Sequence, residues 1–331
     1  MRTMQAVVAV AHNAPLELHT LDMPEPAPGQ VLVQVMASAV NPLDTKIHAG
    51  KGGHARQPLP AVLGMDLAGV VAKLGAGVSA FAVGEEVYGM AGGIGGNQGA
   101  LAQYIAVDAD LLARKPRNLS MREAAALSLV FITAWEGLVD RANVRSGQTV
   151  LVHGGAGGVG HVAVQIARAR GAEVFATGSA HSLATIESFG ATAIDYRASS
   201  VEEYVDLHTA GEGFDIVYDT VGGATLDASF AAVRTYTGHV VSCLGWGEHA
   251  LAPLSFRAAT YSGVFTLLPL LTGKGRKHHG EIMAQATRMA EAGQLRVLLD
   301  DQRFTLAETG LAYERVSSGA ASGKVIIDVE S

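Results

Sequence analysis

The chain has 331 residues, of which 49 % are hydrophobic and 17 % charged, and its formal net charge is −7 at pH 7. This length allows about two domains of roughly 150 residues, and the composition argues against disorder. The acidic balance, without a long Lys/Arg run, disfavours nucleic acid as a partner. No apolar stretch reaches the roughly 18 residues of a membrane span.

Cys243 is the only cysteine, which excludes an intrachain disulfide and a multi-cysteine metal site. Since the first residues carry no signal-peptide pattern, we expect a cytoplasmic protein.

The first 110 residues predict a β domain. Short apolar, β-branched runs between glycine turns are typical of strands. Such runs occur at residues 31–37, 67–73, 84–89 and 102–107, and a further predicted strand ends the chain at 324–329.

Near residue 119 the pattern changes to alternating strands and helices. Ser120, followed three residues later by Glu123, is typical of a helix N-terminus. Apolar runs predict strands at 149–153, 173–177, 193–195, 214–218 and 239–244, and helical spacing predicts helices at 159–170, 182–189 and 280–292. This alternation predicts a parallel, doubly wound α/β sheet.

A glycine-rich turn at residues 155–160, G-A-G-G-V-G, follows the first of these strands and opens the next helix. In a dinucleotide site, the first glycine permits the tight turn, the second admits a pyrophosphate, and the third packs the helix on the strand. The phosphates would lie at the helix N-terminus. The bare pattern also fits an ordinary turn, but its strand–helix–strand context favours a cofactor. The contacts predicted here are Gly155, Ala156, Gly157, Gly158 and Val159.

The end of the second strand bears on the choice of cofactor. An NAD site places Asp or Glu on the ribose about 20 residues after the motif, whereas the strand here ends in residues 175–181, F-A-T-G-S-A-H, without a carboxylate. The missing acid admits NADP(H). Thr177, Ser179 and Tyr196 are candidate contacts, with His181 adding charge when protonated; Ser179 and Tyr196 also fit ordinary turn and surface positions.

The chain resembles the zinc-independent quinone oxidoreductases, the group that includes zeta-crystallin. The resemblance spans essentially the whole chain. It rests on residues 41–44 (N-P-L-D), 63–71 (L-G-M-D-L-A-G-V-V), 153–160 (H-G-G-A-G-G-V-G), 194–197 (I-D-Y-R) and 214–219 (F-D-I-V-Y-D).

The resemblance implies a GroES-like β domain over residues 1–122, completed by 268–331, and a Rossmann NADP(H)-binding domain over 123–267. It places nicotinamide and substrate between the domains. It also implies a homodimer, or a tetramer, through the nucleotide-binding sheets, with residues 262–268 as an edge strand. This chain departs from the family in one respect, since no lysine follows the second strand.

The same resemblance disfavours zinc. Zinc-dependent relatives need a cysteine where this chain has Asn41, and a Gly-His-Glu segment where it has residues 64–66, G-M-D. A catalytic zinc ion generally needs three side-chain ligands. Without that Lewis acid, we expect hydride transfer to quinones or α,β-unsaturated carbonyls, whose charge spreads to a distant oxygen.

Asn41 is the candidate donor to the substrate, with a turn residue before Pro42 as the alternative. Asp44 is a candidate orienting group or the N-cap of a helix at 45–49, and Lys46 is a candidate oxyanion donor or a solvated residue. A further cofactor contact is predicted at Thr133, which matches a family position near the nicotinamide. Leu244, Gly245 and Phe265 are predicted because they follow strands on the nicotinamide side, and Lys324 is predicted to face the cofactor.

The sequence therefore predicts an NADPH-dependent quinone reductase that needs no metal. A reductase of enone or alkenal double bonds is the alternative within the same class, because sequence does not define the shape of the substrate site. A non-catalytic NADPH-binding protein, crystallin-like or a sensor, is the alternative from another class, since no compelling acid or base stands out.

Overall fold

The computed structural model describes residues 2–330. Its strands are β1 Thr3–Ala9, β2 Leu16–Asp22, β3 Gln30–Ala39, β4 Ala61–Val62, β5 Asp66–Leu74, β6 Glu86–Met90, β7 Tyr104–Asp108, β8 Leu112–Arg114, β9 Thr149–His153, β10 Glu173–Gly178, β11 Thr192–Asp195, β12 Ile216–Asp219, β13 His239–Ser242, β14 Thr260–Gly263, β15 Phe304–Thr305 and β16 Ile326–Asp328. Its α-helices are α1 Pro42–His48, α2 Met121–Trp135, α3 Gly160–Ala169, α4 Leu183–Ser188, α5 Val201–Thr209, α6 Ala224–Ala232, α7 Ala252–Phe256, α8 Leu268–Thr272, α9 Arg276–Glu291 and α10 Thr309–Ser317.

The chain divides into two compact units. The first unit holds residues 2–129, 267–293 and 297–330, and the second holds 130–266 and 294–296. The first boundary falls inside α2, which begins as predicted after Ser120: the Ser120 N–H donates to Glu123 Oε2 at 2.8 Å, and the Glu123 N–H donates back to Ser120 Oγ at 3.2 Å. No helix in residues 2–330 is both long and apolar enough to cross a membrane.

The first unit is built on two sheets. One has the order β2-β1-β4, and the other has the order β15-β16-β3-β5-β6-β8, with β7 also pairing with β3. The β3–β5 pairing is close because Gly69 lies against the strand opposite: a Cβ there would lie 2.1 Å from the Gln34 carbonyl oxygen. The antiparallel pairing of β16 with β3 brings the C-terminal segment beside the end of β3, and this pairing determines where Lys324 lies.

The second unit is a parallel sheet with the order β11-β10-β9-β12-β13-β14. Chain order runs outward in both directions from β9 and β12, so the sheet has its topological switch point between these two strands. Ligands of doubly wound sheets bind at the carboxyl ends of the strands there. The predicted α/β class, with a GroES-like and a Rossmann part, is confirmed.

The predicted edge strand over residues 262–268 is wrong in its extent. The strand β14 covers Thr260–Gly263, and the apolar residues that follow lead into α8. Pro269 stands at the start of α8, where proline fits a helix but cannot donate to a sheet. The edge position itself is as expected, because among residues 2–330 β14 pairs only with β13.

Candidate functional site

The glycine-rich turn joins β9 to α3 in the second unit. Gly154 has φ +74°, the left-handed region that favours glycine, and the Gly157 N–H closes the turn on the Gly154 carbonyl at 2.8 Å. Gly155, to which the sequence assigned the tight turn, is the second residue of this turn, while the left-handed conformation itself is at Gly154. A Cβ on Gly155 would also lie 2.6 Å from the Ala176 Cβ of β10.

The other two glycines of the motif, Gly157 and Gly160, differ in how much space a Cβ would have. A Cβ on Gly160 would lie 2.0 Å from the Gly154 carbonyl oxygen, so the first turn of α3 sits directly on the glycine turn. A Cβ on Gly157 would lie 3.1 Å from the same oxygen, a tight approach that needs only a small shift. Ala156, Gly158 and Val159 complete the connection, and Val159 is the residue that precedes α3. The turn therefore requires glycine at position 160 for packing. At position 157 packing does not require glycine, so contact with a ligand can be the reason for it.

Polar side chains gather where the strands of this sheet end. His153 ends β9, and its Nδ1 lies 3.1 Å from Thr177 Oγ1 on β10. Burial lowers the pKa of His153 to about 4, so the ring is neutral at physiological pH, and within residues 2–330 its Nε2 has no hydrogen-bond partner. Asp219 ends β12 and accepts from Ser242 Oγ at 2.7 Å and from the Gly222 N–H at 2.9 Å. The sequence predicted a role for Thr177 but not for His153 or Asp219. Their position at the ends of predicted strands was the signal that could have identified them.

The ends of β10 and β11 carry the predicted ribose-phosphate contacts. Gly178 pairs with Asp195 in the parallel register, and the Tyr196 N–H donates to the Gly178 carbonyl at 3.3 Å. Ser179 follows directly, and Tyr196 is 53 % exposed. The Arg197 guanidinium lies over the Tyr196 ring, 5.7 Å from its centre. Arg197 is the last residue of the sequence motif at 194–197, which by itself predicts no role for it.

The remaining predicted cofactor contacts of the second unit lie in α2 or after the strands β13 and β14. Thr133 is buried in α2, with its Oγ1 3.1 Å from Thr266 Oγ1, and its carbonyl accepts from the Tyr218 hydroxyl at 2.7 Å. Leu244 and Gly245 follow β13; a Cβ on Gly245 would lie 2.2 Å from Tyr261 Oη, so a larger residue there would require the tyrosine side chain to move. Phe265 packs edge-on against Trp246, with 6.0 Å between ring centres.

A buried polar cluster lies in the first unit, at the junction of β3, β5 and the segment before β16. Asn41 Nδ2 donates to Asp66 Oδ2 at 2.8 Å, and Lys324 Nζ donates to Asn41 Oδ1. Lys324 Nζ also lies 3.7 Å from Asp66 Oδ2 and 3.4 Å from the Val40 carbonyl. Burial raises the pKa of Asp66 and lowers that of Lys324, because each charge has left water. Lys324, predicted as a cofactor contact, is thus engaged with Asn41 and Asp66.

Asp44 completes this cluster. The helix begins at Pro42, three residues earlier than expected, so Asn41 is its N-cap and Asp44 lies in the first turn. Asp44 Oδ2 accepts from the Asn41 backbone N–H at 2.8 Å, while Oδ1 has no partner within residues 2–330. Burial raises the pKa of Asp44 to about 7. The alternative role of Asp44 as N-cap is wrong, because the helix starts at a proline, which is favoured at the first helical position.

Lys46 is not part of the cluster. It is exposed on α1, and no hydrogen bond of residues 2–330 joins it to Asn41 or Asp44. Asp66, by contrast, lies within the sequence motif at 63–71, which predicted no role for it, yet it is fully buried and accepts from both Asn41 and the Leu129 N–H, the latter at 2.9 Å. The signal in the sequence was an acidic residue at the start of an apolar run, two residues after Gly64.

Known protein families match segments of this chain that include parts of both units. Residues 27–117 match the family described as "Alcohol dehydrogenase GroES-like domain", and residues 189–327 match "Zinc-binding dehydrogenase". The chain is 36 % identical over 313 residues to 2-methylene-furan-3-one reductase of Solanum lycopersicum, covering 92 % of this chain and 73 % of that protein. It is 34 % identical, with the same coverage, to the chloroplastic NADPH-dependent alkenal/one oxidoreductase of Arabidopsis thaliana.

Solved structures are similar over the full length. An alcohol dehydrogenase superfamily protein from Novosphingobium aromaticivorans is 57 % identical, with a TM-score of 0.97, covering 99 % of this chain and 100 % of that one. The quinone oxidoreductase from Coxiella burnetii is 28 % identical, with a TM-score of 0.84 and the same coverage. The chain therefore belongs to the medium-chain dehydrogenase/reductase family and is an oxidoreductase. The resemblance to quinone oxidoreductases is confirmed.

The name of one matching family raises the question of zinc. At Asn41 and Met65 this chain has an amide and a thioether, and the carboxylates beside Asn41 are Asp66 and Asp44, of which Asp44 accepts from the Asn41 backbone N–H. The Asp66 oxygens accept from two N–H groups, with the Lys324 ammonium 3.7 Å away. Zinc needs ligands whose lone pairs face the ion, and a neighbouring ammonium opposes a second cation. These side chains therefore do not fit zinc; within residues 2–330, no group of three or more His, Cys, Asp or Glu is arranged to hold a metal ion.

Proposed function

We propose that this protein uses NADPH to reduce quinones and related conjugated carbonyl compounds, without zinc. The observation that carries the proposal is the glycine turn at residues 154–160, which lies at the switch point of a parallel sheet and opens α3. This arrangement supplies backbone N–H groups and room for a pyrophosphate. The NADPH dependence of the Arabidopsis relative supports the choice of cofactor.

We assign cofactor binding to the Rossmann part, residues 123–267, and substrate activation to residues 1–122 with 268–331. The cofactor contacts proposed are Thr133, Gly155, Ala156, Gly157, Gly158, Val159, Thr177, Ser179, Tyr196, Leu244, Gly245 and Phe265. Their positions at the carboxyl ends of the parallel strands, or in the segments that follow them, support the assignment for most of this set. Thr133, inside α2, rests on the family resemblance alone.

The preference for NADPH is proposed to come from the ends of β10 and β11. At the end of β10, neither Gly178 nor Ser179 carries an acid that would repel a 2′-phosphate. Asp195 ends the neighbouring strand β11, and its Oδ1 accepts from the Arg197 backbone N–H at 2.9 Å. The hydroxyl groups of Ser179 and Tyr196 are donors that such a phosphate accepts. The Arg197 guanidinium beside Tyr196 supplies the positive charge that the family's missing lysine would otherwise bring.

Bound NADPH supplies a hydride from C4 of its nicotinamide ring. The chain's task is then to hold the acceptor and to stabilise the negative charge that develops on its carbonyl oxygen. We propose that the side-chain amide of Asn41 donates to this oxygen, because an N–H aimed at a developing oxyanion stabilises the transition state more than the ground state. Because Asn41 and Met65 do not fit zinc, the proposed reaction uses no metal. The charge on a conjugated acceptor spreads over several atoms, so a single donor suffices.

We further propose a homodimer through the edge of the Rossmann sheet. In the part of the chain that the structure describes, strand β14 has one neighbour only, and the side chains of Tyr236 and Phe256, in the segments that lead into β13 and β14, are 80 % and 86 % exposed. An unpaired edge with exposed aromatic residues favours pairing with a second copy. Light scattering on the purified protein tests this, and a monomeric mass at micromolar concentration would contradict it. The cytoplasmic location remains a prediction from sequence.

The test of function is NADPH oxidation with 9,10-phenanthrenequinone, p-benzoquinone and a panel of small enones and alkenals. Turnover with a quinone supports the proposal. Binding of NADPH without oxidation by any acceptor would remove both enzymatic hypotheses and leave the non-catalytic one.

Reduction of an enone or alkenal double bond is the second candidate. It is favoured by the two curated relatives, whose names describe reductases of such compounds. Deuterium-labelled NADPH separates the possibilities within this class. Label at the β-carbon of a saturated product identifies double-bond reduction, whereas label at a carbinol carbon identifies carbonyl reduction.

A further inference from the structure

We propose that Lys324 and Asp66 are positioning residues that hold the Asn41 amide in a single orientation, and that Lys324 also strengthens it as a hydrogen-bond donor. The inference rests on the proposed function, since the donor in question is Asn41. It concerns two buried side chains that come from distant parts of the sequence and meet at this amide.

The partners of the Asn41 side chain determine its orientation. The O and N atoms of an amide are distinguished by their hydrogen bonds. Asp66 can only accept when ionised, and the Lys324 ammonium can only donate. Asn41 Nδ2 therefore faces Asp66 and Oδ1 faces Lys324. A flipped amide would set an N–H₂ group against an ammonium and a carbonyl against a carboxylate, so both contacts would become repulsive.

The charge on Lys324 also acts through the amide. An ammonium at the carbonyl oxygen draws electron density from the amide nitrogen and makes its N–H groups stronger donors. The effect is large because Asn41, Asp66 and Lys324 are 2 %, 0 % and 5 % exposed, where water screens little. Nδ2 forms one hydrogen bond within residues 2–330, to Asp66. Its second N–H is the group that the proposed function assigns to the acceptor oxygen.

The backbone around Asn41 is held as well. Asp44 accepts from the Asn41 N–H, and Lys324 lies 3.4 Å from the carbonyl of Val40. The Lys324 backbone is itself tied to the chain, since its N–H donates to the Leu298 carbonyl at 2.8 Å. Both ends of the interaction are therefore fixed by backbone hydrogen bonds, which suits a group that must present one N–H in one direction.

The decisive experiment is kinetic. We expect Lys324→Met to lower kcat about 10- to 100-fold, with KM for the acceptor and Kd for NADPH changed less than about threefold, because the lost effect acts on the developing charge. Lys324→Arg should recover part of kcat. In an Asn41→Ala background, Lys324→Met should cost less than about twofold more, because residues that act through one another are not additive.

Lys115→Met is the matched control. Lys115 is another buried lysine of the same unit, 9 % exposed and paired with Glu86 at 3.1 Å, and its variant should keep wild-type kcat. If Lys324→Met fails to fold, the Asp66→Asn/Lys324→Met pair removes both charges together and avoids an unpaired buried ion. Wild-type kcat in either variant overturns the proposal, as does a loss in kcat that multiplies fully with that of Asn41→Ala.

A second readout does not depend on turnover. The chain has five asparagines, so labelling with ¹⁵N-asparagine yields a small set of side-chain amide signals, and Asn41→Ala identifies the one of interest. We expect this signal to move in Lys324→Met and to stay in Lys115→Met. An unmoved signal overturns the proposal. If the wild type reduces no acceptor, the proposed function fails, and this spectrum still decides whether Lys324 holds the amide.

Discussion

The guanidinium carbon of Arg197 lies 5.7 Å from the centre of the Tyr196 ring, just beyond the carboxyl end of β11. The Tyr196 N–H donates to the Gly178 carbonyl at 3.3 Å, which ties this pair to the end of β10. The segment after β10 carries no lysine, yet a cation reaches the same region from the neighbouring strand. The sheet thereby brings a positive charge close to where a 2′-phosphate is proposed to bind.

Arg197→Ala should therefore weaken NADPH binding about tenfold or more, because a charge-assisted hydrogen bond contributes about 1.5–3 kcal/mol. NADH lacks the phosphate, so its Kd should change less than about twofold by the same reasoning. Fluorescence titrations with both cofactors and with 2′,5′-ADP measure these effects. Arg145→Ala is the control. Arg145 is exposed and precedes the amino end of β9, whereas the proposed phosphate site lies at the carboxyl ends of the strands. Equal losses for NADPH and NADH in Arg197→Ala would contradict the assignment.

Two single-methyl substitutions in the glycine turn should have different consequences. Gly160→Ala places a Cβ 2.0 Å from the Gly154 carbonyl, so we expect a clear fall in Tm and loss of NADPH binding. Gly157→Ala needs only a small shift, at 3.1 Å. It should keep its fold yet weaken NADPH binding about tenfold or more, because the methyl group obstructs the pyrophosphate.

Thermal unfolding and NADPH titration separate these two effects. Gly310→Ala is the control: it lies in α10, a Cβ there meets nothing within 4 Å, and alanine is the better helix former. Its Tm should equal or exceed that of the wild type. A Gly157→Ala variant that binds NADPH as tightly as wild type would contradict the proposed pyrophosphate contact.

Asp44 should make the free energy of unfolding depend on pH. Its pKa is raised from 3.8 to about 7 by burial, so between these values the folded protein binds a proton that the unfolded chain has lost. Stability therefore falls as pH rises from about 4 to about 7, and the loss is complete above about 7. At 1.36 kcal/mol per unit, the wild type should lose up to about 3 kcal/mol relative to Asp44→Asn between pH 5 and 8.

Urea unfolding at several pH values measures this difference. Asp301→Asn is the control, because the Asp301 side chain is 92 % exposed and its replacement should leave the pH profile of the wild type unchanged. Parallel profiles for the wild type and Asp44→Asn would show that Asp44 is ionised in the folded protein throughout this range.

Metal removal should not affect the reaction. Because Asn41, Met65 and the Asp66–Lys324 pair do not fit zinc, we expect purified protein to contain far less than one zinc ion per chain. We also expect NADPH oxidation to continue after treatment with a zinc chelator. Elemental analysis and the chelator assay are the measurements, and stoichiometric zinc whose removal abolishes turnover would contradict the proposed mechanism.

Local sequence patterns were enough to predict much of the Rossmann part. Strand β9 and most of β10 lie where apolar runs placed them, and the turn at 154–160 has the expected context. These features depend on neighbours within a few residues, through side-chain periodicity and the conformational freedom of glycine. The same reasoning failed after β14, where the strand ends at Gly263 and the apolar residues that follow enter a turn and then α8.

The sequence by itself determined the dinucleotide-binding turn, the absence of an acid after β10, and the replacement of zinc-type ligands by Asn41 and Met65. It did not determine what surrounds these residues. Lys324 reaches Asn41 across 283 residues only because β16 pairs with β3, and Arg197 lies near Gly178 only because β11 pairs with β10. Such contacts depend on strand order and register, which nonlocal backbone hydrogen bonds decide and which no local pattern encodes.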